Sequence, residues 1–188
     1  MSYGIERDQA IALVHEHIKN ENMVRHCLAT EAVLRALAER LGADVELWGL
    51  AGLLHDLDVE THSDLDTHTH GTVAILEKKG VNGEMLEAIR LHNLQAHPGE
   101  ERSTTFHHAL AAGETITGLV AATALVYPDK KLASVKPKSV KKRYKEKAFA
   151  RGANREIIAE CEQINIPLPE FCDLSLAAMQ GIADDLGM

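Results

Sequence analysis

Apolar positions recur at helical spacing along most of the chain. The sharpest instance is the stretch LAGLLHDLD, residues 50–58. Leu47, Leu50, Ala51 and Leu54 follow the i, i+3, i+4, i+7 pattern, while Trp48, Leu53, Gly49 and Gly52 fill the remaining faces. This predicts a helix wrapped on all sides, with Asp44 as its N-cap. Its two glycines each cost about 1 kcal/mol in a helix interior and are repaid by close approach of neighbouring helices. Upstream, the pattern predicts a helix over 8–19, with Ile11, Val14 and Ile18 buried and Asp8 as N-cap. A second follows over 22–41, stopped by Gly42. Downstream it predicts helices over 70–79, over 82–93 and over 105–126, then a final pair over 154–164 and 169–186. Residues 58–69 and 95–103 read as polar loops.

Composition narrows the class. The 188 residues fit one domain, and 4% aromatic content beside abundant Ala and Leu favours an all-α fold. No apolar run approaches the ~18 residues of a membrane span, and no signal peptide opens the chain. Three cysteines, Cys27, Cys161 and Cys172, lack metal-type spacing and suit a reducing cytoplasm. The net charge of −8 is polarised: residues 130–155 hold eleven Lys/Arg against Glu146 alone, a local +10 that leaves −18 elsewhere. The basic segment reads as a solvated loop and short helix, too poor in apolar residues to add to a core. An anion-binding role stands beside that reading.

Candidate chemistry clusters at helix ends and on small-residue faces. His55-Asp56 closes the central hydrophobic run, and Asp is almost never fully buried unless paired. Glu114 is the one carboxylate in the small-residue helix over 105–126. A buried lone Glu is neutral or paired, with a metal, Arg or His as partner. His26 reads either as a hydrogen-bonded core histidine or as a ligand, and His92 ends another apolar helix. Two imidazoles and two carboxylates suit a divalent ion with open positions for water, and such an ion acidifies its water and polarises a phosphoryl oxygen.

The chain resembles the HD superfamily of metal-dependent phosphohydrolases, and within it a small bacterial branch of predicted HD hydrolases. The resemblance is carried by VRHCLATEAVLRALA, LWGLAGLLHDLD, His70-Gly71, AIRLHN, GETITGL and ALVYPDKKLASVKPKSVKKRYKEKAFARGANREII. It implies a helical bundle with a metal site at its centre, a core over 20–127, and residues 130–155 and 154–186 as extensions of a single domain over 1–188. It implies His26, His55, Asp56 and Glu114 as metal ligands, with Asp56 also catalytic. His70 and His92 match positions for a second metal or a phosphate contact. Glu114 stands where the superfamily usually has Asp. His107 and His108 have no counterpart.

The leading expectation is a phosphohydrolase using Mn, Fe, Co, Ni, Zn or Mg and acting on a small phosphorylated substrate, a phosphate monoester or a nucleotide. Arg25, Lys138, Lys141 and Lys142 are the candidates to neutralise its phosphate. The alternative is an HD-type module that binds a nucleotide or partner through the basic segment without turnover. Nucleic-acid binding ranks last, because the body is acidic and the segment offers Tyr144 and Phe149 alone for stacking.

Overall fold

The computed structural model describes residues 3–188 and is all-helical over that range, with no strand among the described residues. Helix α1 spans Arg7–His17, α2 Glu21–Leu41, α3 Val45–Leu54, α4 His70–Lys79, α5 Gly83–Leu91 and α6 Thr105–Leu125. Helices α7 (Pro137–Lys145), α8 (Arg155–Ile158), α9 (Leu168–Gly181) and α10 (Ala183–Leu186) follow. Among the described residues no helix is long and apolar enough to cross a membrane.

The centre is α3. Every residue from Leu47 to Leu54 is buried, as a helix apolar on all faces requires. Asp44 caps it, accepting from the Glu46 and Leu47 backbone N–H groups at 3.1 and 3.0 Å. The three residues between α2 and α3 fold the two helices into a hairpin. A Cβ at Gly52 would lie 2.9 Å from the backbone C and O of Thr30, so the α2 backbone occupies the space a side chain would need. Glu31, on the same side of α2, is 3% exposed and ion-paired to Arg7 at 2.7 Å and Arg35 at 2.9 Å. That carboxylate ties α1 to α2. Helix α6 lays its Ala-rich face along α2, and Phe106 near its start stacks on Trp48 with ring centroids 5.0 Å apart.

Some elements depart from their sequence expectation. Helix α1 starts at Arg7 and is preceded by Glu6, whose backbone N–H donates to Gln9 Oε1 at 3.0 Å; Asp8 lies inside the first turn and does not cap it. The expected helix over 154–164 is a four-residue α-helix followed by a 3-10 stretch, Ala159–Ile164. The basic segment does add to the core: Leu132, Val135, Val140 and Ala153 are buried. Its branched aliphatic residues turn inward, while Ala133, Ala148 and most of the lysines are exposed. The expected polar loop over 58–69 is a run of tight turns whose Asp58, His68 and Thr69 are buried.

Candidate metal centre

The apolar wrapping of α3 ends at Leu54, and the next two residues face the middle of the bundle: His55 is fully buried and Asp56 nearly so. Four imidazoles gather around this pair. His26 comes from α2, His55 from the end of α3, His68 from the turns after it and His92 from the end of α5. Asp56 Oδ1 lies 3.3 Å from His55 Nε2, 3.0 Å from His68 Nε2 and 3.4 Å from His92 Nε2. Asp56 Oδ2 lies 3.6 Å from His26 Nε2. Glu114, from α6, approaches His26 Nε2 at 3.9 Å.

The other ring nitrogens are already committed. His55 Nδ1 donates to the Gly52 carbonyl at 2.8 Å and His92 Nδ1 to the Ile89 carbonyl at 2.6 Å. The Thr117 hydroxyl donates to the Glu114 carbonyl at 2.6 Å, so at 2.9 Å it accepts from His26 Nδ1. His68 Nδ1 stands 2.9 Å from Asp58 Oδ1. Asp58 is itself fixed by the Thr69 and Gly71 backbone N–H groups, each at 2.9 Å, and by the Thr72 hydroxyl at 3.0 Å. A side chain at Gly71 would strike Asp58 Cβ at 2.7 Å. With Nδ1 of His26, His55 and His92 hydrogen-bonded and that of His68 beside the Asp58 carboxylate, each ring turns Nε2 to the centre, the arrangement that orients metal-ligating histidines.

These residues fit a divalent ion. His26 Nε2 and His55 Nε2 are 3.2 Å apart, and their Nδ1 partners make both Nε2 atoms acceptors. Two lone pairs facing one another call for a shared cation. Donor atoms around an ion with bonds of about 2.0–2.2 Å stand roughly 3.0–3.5 Å apart. The Asp56 separations from His55, His68 and His92 and the His26–His55 separation lie in that range, and those of His26 from Asp56 and Glu114, at 3.6 and 3.9 Å, lie just beyond it. Two groups of three have all ligand atoms within 4.8 Å of one another: His26, His55 and Asp56, and Asp56, His68 and His92. Asp56 belongs to both.

Charge follows from the same geometry. Burial drives the His55 imidazolium down to a pKa of about 3, so the ring is neutral at pH 7. Burial opposes a charge on His68 too, but Asp56 and Asp58 outweigh it and raise the ring to about 10. Burial also opposes ionisation of Asp56, yet the surrounding histidines hold its carboxyl well below the usual range. Glu114 is raised by burial.

A cavity of about 750 Å³ opens on the cluster, lined by His26, Asp56, His68, His92 and Glu114 on its floor. His70 is not among them. It is exposed, with Nε2 3.3 Å from the Ala96 carbonyl and its ring against His97. His68, two residues earlier, faces Asp56 instead. Nor do the four phosphate candidates line this cavity. Arg25 is exposed on α2 and lies near Gly187; Lys141 pairs with Asp173 at 2.9 Å and Lys142 with Glu146 at 3.9 Å; Lys138 is exposed. The cations on the cavity wall are Arg102 and Arg151, neither signalled by any spacing. His107 and His108 lie apart from the cluster, His108 pairing with Glu160 at 2.8 Å.

A helical bundle with a His-Asp pair at its centre and further histidines arriving from separate elements defines a class of metal-binding fold. The HD domain family model matches residues 23–122, more than half of the chain, and the chain belongs to the HD family. No solved structure matches it.

Proposed function

We propose that the protein is a metal-dependent phosphohydrolase acting on a phosphate monoester or a nucleotide. The observation that carries this reading is the convergence of four imidazole Nε2 atoms on one buried carboxylate, at the floor of an open cavity. His26, His55, Asp56 and Glu114 would hold one ion; His68 and His92, sharing Asp56, would hold a second. We assign to His68 the role that the family resemblance gave to His70. An imidazole-rich set without thiolate favours Mn, Fe, Co, Ni or Zn over Mg. When bound, such an ion polarises a phosphoryl oxygen and acidifies water.

The chain's own groups supply the rest. Asp56 stands between the two groups of ligands, close enough to both to orient an attacking water. Glu114 sits at the cavity edge, its carboxyl pKa raised by burial. Thr117 and Asp58 keep His26 and His68 in register. Residues 1–188 read as one HD-type domain of the small bacterial branch, working in the cytoplasm with its three thiols reduced.

A second reading, a module that binds without turnover, is favoured by Glu114, which lies outside both groups of three. One experiment separates them. Purified protein is assayed on a panel of phosphate esters and nucleotides with Mn, Co, Ni or Mg, beside Asp56→Asn. Metal-dependent turnover that disappears in the variant supports the hydrolase. Stoichiometric metal with no turnover on any member of the panel supports the binding module.

A further inference from the structure

The basic segment has no place in the metal cluster, yet it forms one wall of the cavity through Arg151, Gly152, Ala153 and Asn154. What holds that wall is Arg155. Its five N–H groups reach six backbone carbonyls, with one hydrogen of a terminal nitrogen shared: Tyr144 at 3.1 Å, Arg143 at 3.2 Å, Glu146 at 3.3 Å, Phe149 at 2.6 Å, Ala150 at 3.0 Å and Ala153 at 2.5 Å. The chain from 143 to 153 is therefore wound around one planar cation. The Tyr144 hydroxyl closes the ring by donating to the Arg155 carbonyl at 3.0 Å. Ala150 adopts a left-handed φ of 45°, a conformation costing roughly 1–2 kcal/mol for a residue with a Cβ, and its carbonyl is one of the six held. Lysine could not replace this fork, because a single ammonium has three donors and no plane.

The loop so held presents Arg151. Of the two Lys/Arg residues on the cavity wall, Arg102 is engaged: it pairs with Glu160 at 2.6 Å and donates to the carbonyls of Leu91 and His92 at 2.9 and 2.7 Å. Arg151 is exposed and makes no ion pair among the described residues. The floor below it carries the carboxylates of Asp56 and Glu114. A phosphate dianion entering this cavity meets one uncommitted cation.

We propose that Arg151 receives the substrate's phosphate at the mouth of the metal centre, and that Arg155 is the positioning residue that sets it there. This rests on the phosphohydrolase reading and narrows it: the substrate is recognised through its phosphate from the loop side of the cavity. The lysines of α7 face away and take no direct part.

The test uses the full chain loaded with Mn²⁺ and titrated calorimetrically with inorganic phosphate. Arg151→Ala lowers phosphate affinity ten- to a hundredfold with manganese content unchanged, as expected for a lost charge-assisted contact. Lys145→Ala, which removes the same charge outside the cavity, changes affinity less than twofold. Arg155→Lys also weakens phosphate binding, but adds nothing in the Arg151→Ala background, because it acts through Arg151. A purely structural role would leave its effect undiminished there. Wild-type affinity in Arg151→Ala, or a full Arg155→Lys effect in the double variant, overturns the proposal. Repeating the titration without metal separates the two readings. Phosphate binding that depends on Arg151 in a protein that takes up none of Mn, Fe, Co, Ni or Zn keeps this inference and removes the hydrolase; metal-dependent turnover indifferent to Arg151→Ala does the reverse.

Discussion

Gly52→Ala tests whether the α2–α3 contact sets the metal centre. The added Cβ would stand 2.9 Å from Thr30 C and O and 3.0 Å from Glu31 N, all backbone atoms of α2. Ordinary contact needs about 0.5 Å more, and a helix backbone yields only by moving as a body. Such overpacking costs about 1–3 kcal/mol, and replacing a mid-helix glycine returns about 1 kcal/mol. The net loss of stability is therefore only ~0–2 kcal/mol. The site should suffer more. Thr30 lies one turn from His26, and its hydroxyl donates to the His26 carbonyl at 2.9 Å. Shifting that turn opens the 3.2 Å separation between His26 and His55. Disturbing the support of a ligand costs roughly 10–100-fold in metal affinity. Gly118→Ala is the comparison: its Cβ meets nothing within 4 Å, so it should stabilise α6 by up to ~1 kcal/mol. Thermal melts and competition for Mn²⁺ against a chelator read both quantities. Gly52→Ala with unchanged manganese affinity and wild-type stability would refute the claim that this contact positions the ligands.

Three further outcomes are expected. Thr117→Val removes the hydroxyl that His26 Nδ1 donates to; manganese affinity should fall ~10–100-fold with the melting temperature nearly unchanged, and unaltered affinity would remove Thr117 from the site. Asp44→Ala should cost about 1 kcal/mol at pH 7 through loss of the α3 cap. The Leu47 N–H, ahead of the opposing desolvation, and the Tyr3 hydroxyl hold its carboxyl below the usual range. The stabilisation is thus complete above about pH 4 and disappears as pH falls through the lowered folded pKa. A wild-type minus variant difference in urea midpoints that grows toward pH 2 would contradict this. Burial pushes the thiol of Cys27 well up, that of Cys161 to about 12 and that of Cys172 to about 11. A disulfide reagent at pH 8 should react with none of them within minutes in native protein and with all three in denaturant.

The parts of this molecule that were legible in its sequence are those where burial and period agree. Residues 47–54 are apolar on every face, and the helix they form is central; His55 and Asp56 follow at the point where that wrapping stops. Glu114 stood out as a single carboxylate among small residues, and the structure places it beside His26. What was illegible lies where neither period applies. His68 ends a run of turns and His70 opens α4, and between them a left-handed Thr69, φ 94°, leaves only His68 facing Asp56. No spacing rule encodes that dihedral. Arg155 is equally silent in sequence, one more cation in a basic run, because its role depends on the chain curling back around it. The same compositional bias drew attention to Lys138, Lys141 and Lys142 and away from Arg151, since charge density along a sequence says nothing about which side chains share a wall.

The candidate ligands come from α2, the end of α3, the following turns, the end of α5 and, with Glu114, α6, spanning residues 26 to 114. No short peptide of this chain holds the set, so an unfolded chain offers an ion nothing comparable. An ion bound there would make occupancy and folding one equilibrium: at a free metal concentration of a hundred times Kd the native state would gain about 2.7 kcal/mol by mass action alone. For a small helical domain that is a large share of its stability. Metal supply would then govern how much of the protein persists in the cell as well as how much of it works.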